Sequence, residues 1–222
     1  MRSVLFAIVL VLNLGSGDGP GALAGTDISA APQSSGPPSA TQEAAPPDLQ
    51  GFPTAPAPEE LGTVTLPDTA SAVKGLFERL PSEVAGHVRL RSPQFDRISP
   101  ERASVGYGED PRIRGVRTPL LWLQAIDLSR GDFFPTNWTG GQVVAFMARG
   151  KETKEAGRDG NLFWIRQEKF RDTVGSPERF AVYETLWGRV DSPWMFSIQA
   201  DARENRDALL AAFVAAARSS PR

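Results

Sequence analysis

The sequence contains no cysteine and a single histidine, and both absences exclude classes of chemistry. Without cysteine the chain has no disulfide, no thiol nucleophile, no cysteine–zinc site and no lipidated cysteine. The lone histidine, His87, rules out metal motifs that need a histidine pair. No apolar run reaches the roughly 18 residues of a membrane-spanning helix. We therefore expect no metal, no other cofactor and no transmembrane helix in the mature protein.

An excess of one charge is also missing, since 24 basic residues stand against 26 acidic ones in 222 residues. Such a balance lacks the positive footprint of a nucleic-acid-binding protein, so we expect no nucleic acid partner. The chain does contain 12 phenylalanines and 5 tryptophans. That aromatic content excludes a collagen-like or fully disordered chain.

Residues 1–24 are typical of an export signal. A short positively charged start precedes an apolar stretch over 4–14, which is too short to span a bilayer. Ala22 and Ala24 then give the small-x-small pattern that signal peptidase cuts, here before Gly25. The sequence therefore predicts an exported protein, periplasmic or extracellular, and does not separate the two destinations.

Composition divides the rest of the chain into a spacer and a domain. Residues 25–60 are dense in Pro, Ala and Ser. Their few apolar side chains cannot offset the entropy lost on ordering, so we expect a disordered spacer. Residues 61–222 contain no internal repeat and are long enough for one well-buried domain.

Periodicity within 61–222 predicts an α+β fold. Apolar residues at helical spacing predict three helices, near 69–79, 142–149 and 202–218. The first is capped by Asp68 or Thr69, and the last by a box of Asp201 and Glu204. Dense or alternating apolar residues predict strands near 84–90, 102–107, 120–128, 162–170, 180–187 and 194–200. Short turns favour antiparallel pairing, and we expect a twisted antiparallel sheet of about 5–6 strands sandwiched by helices.

Several segments resemble known secreted bacterial proteins. The runs LPSEVAGHVR and SVGYG, with an apolar strand ending in IDL, are similar to small uncharacterised secreted proteins. The ending WMFSIQADARENRDALLAAFVAAAR resembles the last strand and helix of PsbP-like domains. This resemblance, which covers 66–218 in outline, implies a twisted antiparallel sheet between helices and a non-catalytic accessory role. PsbP-like domains share no catalytic motif, so the resemblance assigns no catalytic role to any residue of this chain.

The loop GDFFPTNWTGG is one candidate binding site. Its glycines and proline argue against regular structure and place Phe133, Phe134 and Trp138 in a loop. Aromatic side chains on a loop either fill the edge of a core or form a recognition surface. The sequence leaves both interpretations open.

A small basic cluster of Arg112, Arg114 and Arg117 is the second candidate site. Arginine forks suit carboxylate and phosphate ligands. The alternative is a solvated face whose charge is balanced by Glu109 and Asp110.

The sequence gives little indication of a group of catalytic side chains. His87 is the one imidazole that a Ser-His-Asp triad could use, and no GxSxG elbow accompanies it. The candidate acids for glycoside hydrolysis are Glu109, Asp110, Asp127 and Asp132. Acids at turns are usually solvated or act as caps. We assign no catalytic residue and no metal ligand, and whether any catalysis occurs is left open.

These patterns together favour an exported non-catalytic module that binds a protein partner or a small ligand in the cell envelope. One alternative is an exported hydrolase that uses carboxylates. Another is an envelope-associated structural protein tethered by its spacer.

The mature protein is expected to begin at Gly25, because the apolar stretch and the small residues Ala22 and Ala24 fit a signal peptidase site. Intact-mass spectrometry of the protein purified from the envelope fraction of its own host measures this directly. An exported protein that still begins at Met1 would contradict the prediction.

Overall fold

The fold is given by a computed structural model that describes residues 45–62, 64–91, 96–108, 120–130, 134–149, 155–172 and 179–219. The predicted signal peptide with Ala22, Ala24 and Gly25, the basic cluster with Arg112, Arg114 and Arg117, and Phe133 lie outside these residues. Among the described residues no helix combines the length and the apolar character needed to cross a membrane.

Three of the described helices fall close to their predicted positions, and the helix over Glu59–Gly62 was not predicted. Their bounds are α1 Glu59–Gly62, α2 Ala70–Glu78, α3 Gly140–Ala148 and α4 Arg203–Arg218, with a 3₁₀ turn over Leu128–Arg130. Thr69 caps α2 as predicted, since its side chain accepts a hydrogen bond from the Ala72 amide at 3.2 Å. Thr139 and Gln142 form a capping box that begins α3.

The described strands form one sheet. Their bounds are β1 Glu83–Val84, β2 His87–Arg89, β3 Arg97–Ile98, β4 Arg102–Gly108, β5 Leu121–Asp127, β6 Glu155–Asp159, β7 Leu162–Asp172, β8 Arg179–Arg189 and β9 Trp194–Ala200. The order is β1-β2-β4-β5-β9-β8-β7-β6, with β3 also paired to β4, and these strand pairs are antiparallel. The α+β class is confirmed, and the expected count of 5–6 strands was too low.

Two local causes account for two of the three extra strands, and the third is β3, a two-residue strand paired to β4. Ala85 and Gly86 have φ values of 52° and 78°, so a two-residue turn splits the strand predicted over 84–90 into β1 and β2. The polar segment that contains β6 has exposed side chains at Glu155, Arg158 and Asp159 and no alternation of apolar residues. It forms a strand because β7 supplies its hydrogen-bonding partner.

Helices lie on both faces of the sheet. Leu121, Leu123 and Ala125 alternate along β5 and are buried in one core, together with side chains of α2 and α4. We call this the α4-side core. Its centre is a group of three aromatic rings, Trp187, Phe196 and Phe213, whose centroids lie 5.2–5.7 Å apart.

The opposite face carries the α3-side core. Its buried members are Leu128, Trp138, Val143, Val144, Ala145, Phe163, Ile165, Leu186 and Met195. They come from α3, from the segments that flank it, and from alternate positions of β7, β8 and β9. The sheet is therefore covered by α3 on one side and by α2 and α4 on the other.

Glycine allows the backbone of α3 to touch the sheet. A Cβ atom added at Gly188 of β8 would lie 2.5 Å from the carbonyl carbon of Gly140. A Cβ atom at Gly141 would lie 2.9 Å from the backbone of Arg189 and Val190. The Gly140 amide also donates to the Ser192 carbonyl at 2.8 Å. The helix begins in direct backbone contact with β8 and with the turn that follows it.

Residues 48–57, which we call the strap, lie across the β6 edge of the sheet. The Arg158 amide donates to the Pro53 carbonyl at 2.9 Å, and the Ala55 amide donates to the Arg158 carbonyl at 3.2 Å. Phe52 lies against Phe163 in the α3-side core, and Ala57 lies in the α4-side core. These residues belong to the segment predicted as spacer, and they contact β6 and both cores.

Gly188→Ala is expected to destabilise the fold, because the new methyl group must push α3 away from β8. Overpacking of this kind typically costs about 1–3 kcal/mol. Urea unfolding of the mature protein measures the change. Gly62→Ala is the matched control, since its Cβ atom would lie at an ordinary 3.6 Å from the nearest atom. Equal stability of the two variants would contradict the prediction.

Candidate anion-binding cleft

A small cleft opens where the start of α4 meets the β6–β7–β8 edge of the sheet. Its volume is about 120 Å³. The residues that line it include three arginines, two glutamates and a tyrosine, namely Glu155, Arg166, Glu168, Tyr183, Arg203 and Arg206.

Strand register and helix spacing bring these side chains together. Arg166 and Glu168 are two apart on β7, so they share one face of the sheet. Arg166 pairs with Glu155 of β6, and Glu168 pairs with Tyr183 of β8. Arg203 and Arg206 are three apart on α4, which places both on the same side of the helix.

Arg206 is the most buried cation of the cleft, with only 10% of its side chain exposed. Its Nε and Nη2 atoms donate to Oδ1 of Asp207 at 2.9 Å and 2.8 Å. Nη2 of Arg166 lies 3.9 Å from the same oxygen. Two guanidinium groups from different elements therefore approach one carboxylate oxygen.

Arg203 forms the outer wall of the cleft. Its Nη2 atom lies 3.4 Å from Oε2 of Glu168, and its guanidinium carbon lies 5.5 Å from the centre of the Tyr183 ring. The hydrogen bond to Glu168 raises the pKa of Arg203 above its ordinary value. Arg203 is thus a cation held in place by a carboxylate and an aromatic ring.

The first turn of α4 differs from its prediction. The expected box of Asp201 and Glu204 is wrong, because Ala202 occupies the N-cap position and no side chain caps this end of the helix. Oδ1 of Asp201 instead accepts a hydrogen bond from Nδ2 of Asn205 at 2.8 Å. The partial positive charge of a helix N-terminus thus adds to that of the arginines.

A buried carboxylate lies on the other face of the same strands. Glu184 is 1% exposed and has three partners. Nζ of Lys169 lies 2.7 Å from Oε2, Nε2 of Gln199 donates to Oε1 at 2.8 Å, and Gln167 also donates to Oε2. Since the charge is paired and hydrogen-bonded, this cluster fixes β7, β8 and β9 in register beneath the cleft.

The predicted aromatic loop is described only in part, since Phe133 lies outside the described residues. The rings of Phe134 and Trp138 are stacked with centroids 6.2 Å apart, and Trp138 meets Phe146 edge-on at 5.4 Å. Trp138 is 7% exposed and belongs to the α3-side core, against which Phe134 is half-buried. The structure brings Phe134 and Trp138 together at the edge of a core.

The remaining residues considered for catalysis either have local hydrogen-bond partners or lie outside the residues that the structure describes. Nε2 of His87 lies 3.5 Å from Nδ2 of Asn205. Oδ1 of Asp127 accepts hydrogen bonds from the amide and the hydroxyl of Ser129, at 3.0 Å and 2.6 Å, which is the capping role of an acid at a turn. Glu109, Asp110 and Asp132 lie outside the described residues.

The cleft was not predicted from the sequence. Its residues lie in two separate predicted elements. Arg166 and Glu168 lie on one face of a predicted strand, and Arg203 and Arg206 lie at the start of the last predicted helix. Nothing local indicates that these two segments meet. That information lies in the strand order, which the sequence did not determine.

Trp138→Ala is expected to lower the free energy of unfolding by about 3–5 kcal/mol, because a large side chain is removed from the α3-side core. Phe146→Ala is the matched control on the same cluster, since Phe146 is 39% exposed and loses less buried area. Chemical denaturation measures both. Equal, small effects would contradict a core role for Trp138.

Comparison with known proteins found no match, whether with the models of protein families, with curated proteins or with solved structures.

Proposed function

We propose that this protein is an exported non-catalytic module of the cell envelope that binds an oxyanion group of a small ligand in the arginine cleft. The observation that carries the proposal is the convergence of Arg166 and Arg206 on one carboxylate oxygen, that of Asp207. Guanidinium forks bind carboxylate and phosphate oxygens in this way. Both arginines line the cleft, so a ligand oxygen inside it would reach their guanidinium groups.

The volume of the cleft limits what it accommodates. Pockets that enclose a whole organic ligand usually measure about 300–1,000 Å³. A cleft of about 120 Å³ has room for one charged group and leaves the rest of the ligand outside. We therefore assign the cleft to a phosphate or carboxylate group.

The carboxylates near the cleft favour binding over hydrolysis. Glu168 contacts Arg203, and Asp207 contacts Arg206. A carboxylate hydrolase needs one acid with a raised pKa and a second that acts on water or substrate. Glu168 and Asp207 instead each hold one arginine in place, so they position positive charge at the cleft. The resemblance to PsbP-like domains, which implies a non-catalytic accessory role, stays a prediction that agrees with this function.

Titration calorimetry of the mature protein with inorganic phosphate and with acetate, at low and at high salt, tests the proposal. Arg206→Lys keeps the charge and loses the fork, and we expect at least about tenfold weaker binding, as for loss of one charge-assisted hydrogen bond. Arg166→Gln should weaken binding in the same direction. Both affinities should fall with salt.

Arg97→Ala is the matched control, since it removes one arginine of β3, on a strand outside the cleft, whose guanidinium pairs only loosely with Glu101 at 3.7 Å. It should bind like the wild type. Thermal unfolding of each variant shows that it is folded. Absence of anion binding by the wild type and by every folded variant would overturn the proposal.

A further inference from the structure

We propose that Asp207 is an internal competitor for the cleft, occupying Arg206 until an oxyanion with more than one negative charge displaces it. The inference rests on the proposed function and adds to it a mechanism of selectivity. It starts from the geometry of one ion pair, in which both donors of Arg206 reach the same oxygen of Asp207.

The two partners differ in their access to water. The Arg206 side chain is 10% exposed, whereas that of Asp207 is 47% exposed. A cation held away from water needs an acceptor beside it. The half-exposed Asp207 carboxylate can turn into solvent once another acceptor takes its place beside Arg206, because water then solvates it. Arg206 is therefore the fixed half of the pair, and Asp207 is the half that can move.

Sequence spacing supports the same conclusion. Arg206 and Asp207 are consecutive on α4, and consecutive side chains of a helix do not face each other. The guanidinium group must fold back to reach its neighbour. Arg206 and Arg166 both line the cleft, and Asp207 is not one of its lining residues, so a ligand in the cleft reaches both guanidinium groups without this constraint.

Competition of this kind sets a requirement on the ligand. An acceptor with a single negative charge offers no more charge than the Asp207 carboxylate that it replaces. A phosphate group that carries closer to two charges interacts more strongly with both arginines. The cleft should therefore select phosphate-like groups over monocarboxylates, and the charge of Asp207 should set the threshold.

The test is Asp207→Asn, which keeps the size of the side chain and removes its charge. Calorimetry of the full mature protein with inorganic phosphate should show up to about fivefold tighter binding, the factor that corresponds to a competing ion pair of about 1 kcal/mol. Acetate binding should tighten as well, and the preference for phosphate over acetate should shrink. Unchanged phosphate affinity would overturn the inference.

Glu204→Gln is the matched control, since Glu204 is an exposed acid in the first turn of the same helix. It removes the same charge from the same region, and phosphate affinity should change less than about twofold, as for a screened surface charge. A gain equal to that of Asp207→Asn would show a general electrostatic effect and overturn the inference.

A second measurement follows the hydrogen bond between Arg206 and Asp207 itself. The Nε–H signal of Arg206 in a ¹⁵N NMR spectrum should be protected from exchange in the wild type and lost in Asp207→Asn. Added phosphate should restore it in the variant. If the wild type binds phosphate and Arg206→Lys weakens it, but Asp207→Asn changes neither affinity nor this signal, the competitor role fails and the proposed function stands.

Discussion

The fold depends on a backbone contact between α3 and the sheet, made where Gly140 meets Gly188. Neither position has room for a side chain, so the start of the helix lies directly on β8. The amide of Gly140 adds a hydrogen bond to the Ser192 carbonyl in the β8–β9 turn. Because the helix is fixed at its first residue, Val143 and Val144 reach the α3-side core. Two glycines thus determine the position of the layer that covers one face of the sheet.

The other face depends on strand order. β9 pairs with β5 in the middle of the sheet and with β8, which leads through β7 to the β6 edge. The chain leaves β9 at Ala200 and starts α4 at Arg203, so this helix begins beside β8 and β7. Arg206 and Arg166, a residue of a strand two places from β9 in the sheet, then line the same cleft. The arginine cleft exists because a short connection follows β9.

Patterns in the sequence predicted most of the helices and strands, but they did not predict the contacts between them. Apolar periodicity located α2, α3 and α4, because each buries one stripe against the sheet. Alternation located β9, although all of its residues except Gln199 are buried, because helices cover both faces of the sheet. The strand β6 was missed since its stability comes from pairing with β7, and the turn at Ala85 was missed since alanine rarely adopts φ of 52°. The cleft was missed for the same reason as β6, because it is assembled by tertiary contacts.

The burial of Arg206 is a physical argument for the proposed binding role. Taking a guanidinium group out of water costs several kcal/mol, whereas an ion pair with a half-exposed carboxylate contributes about 1 kcal/mol or less. The α4-side core already anchors this helix through Leu209, Leu210 and Phe213, which are fully buried. A purely structural helix would therefore be more stable with an apolar residue at position 206. Natural proteins keep such locally unfavourable groups where a ligand interacts with them.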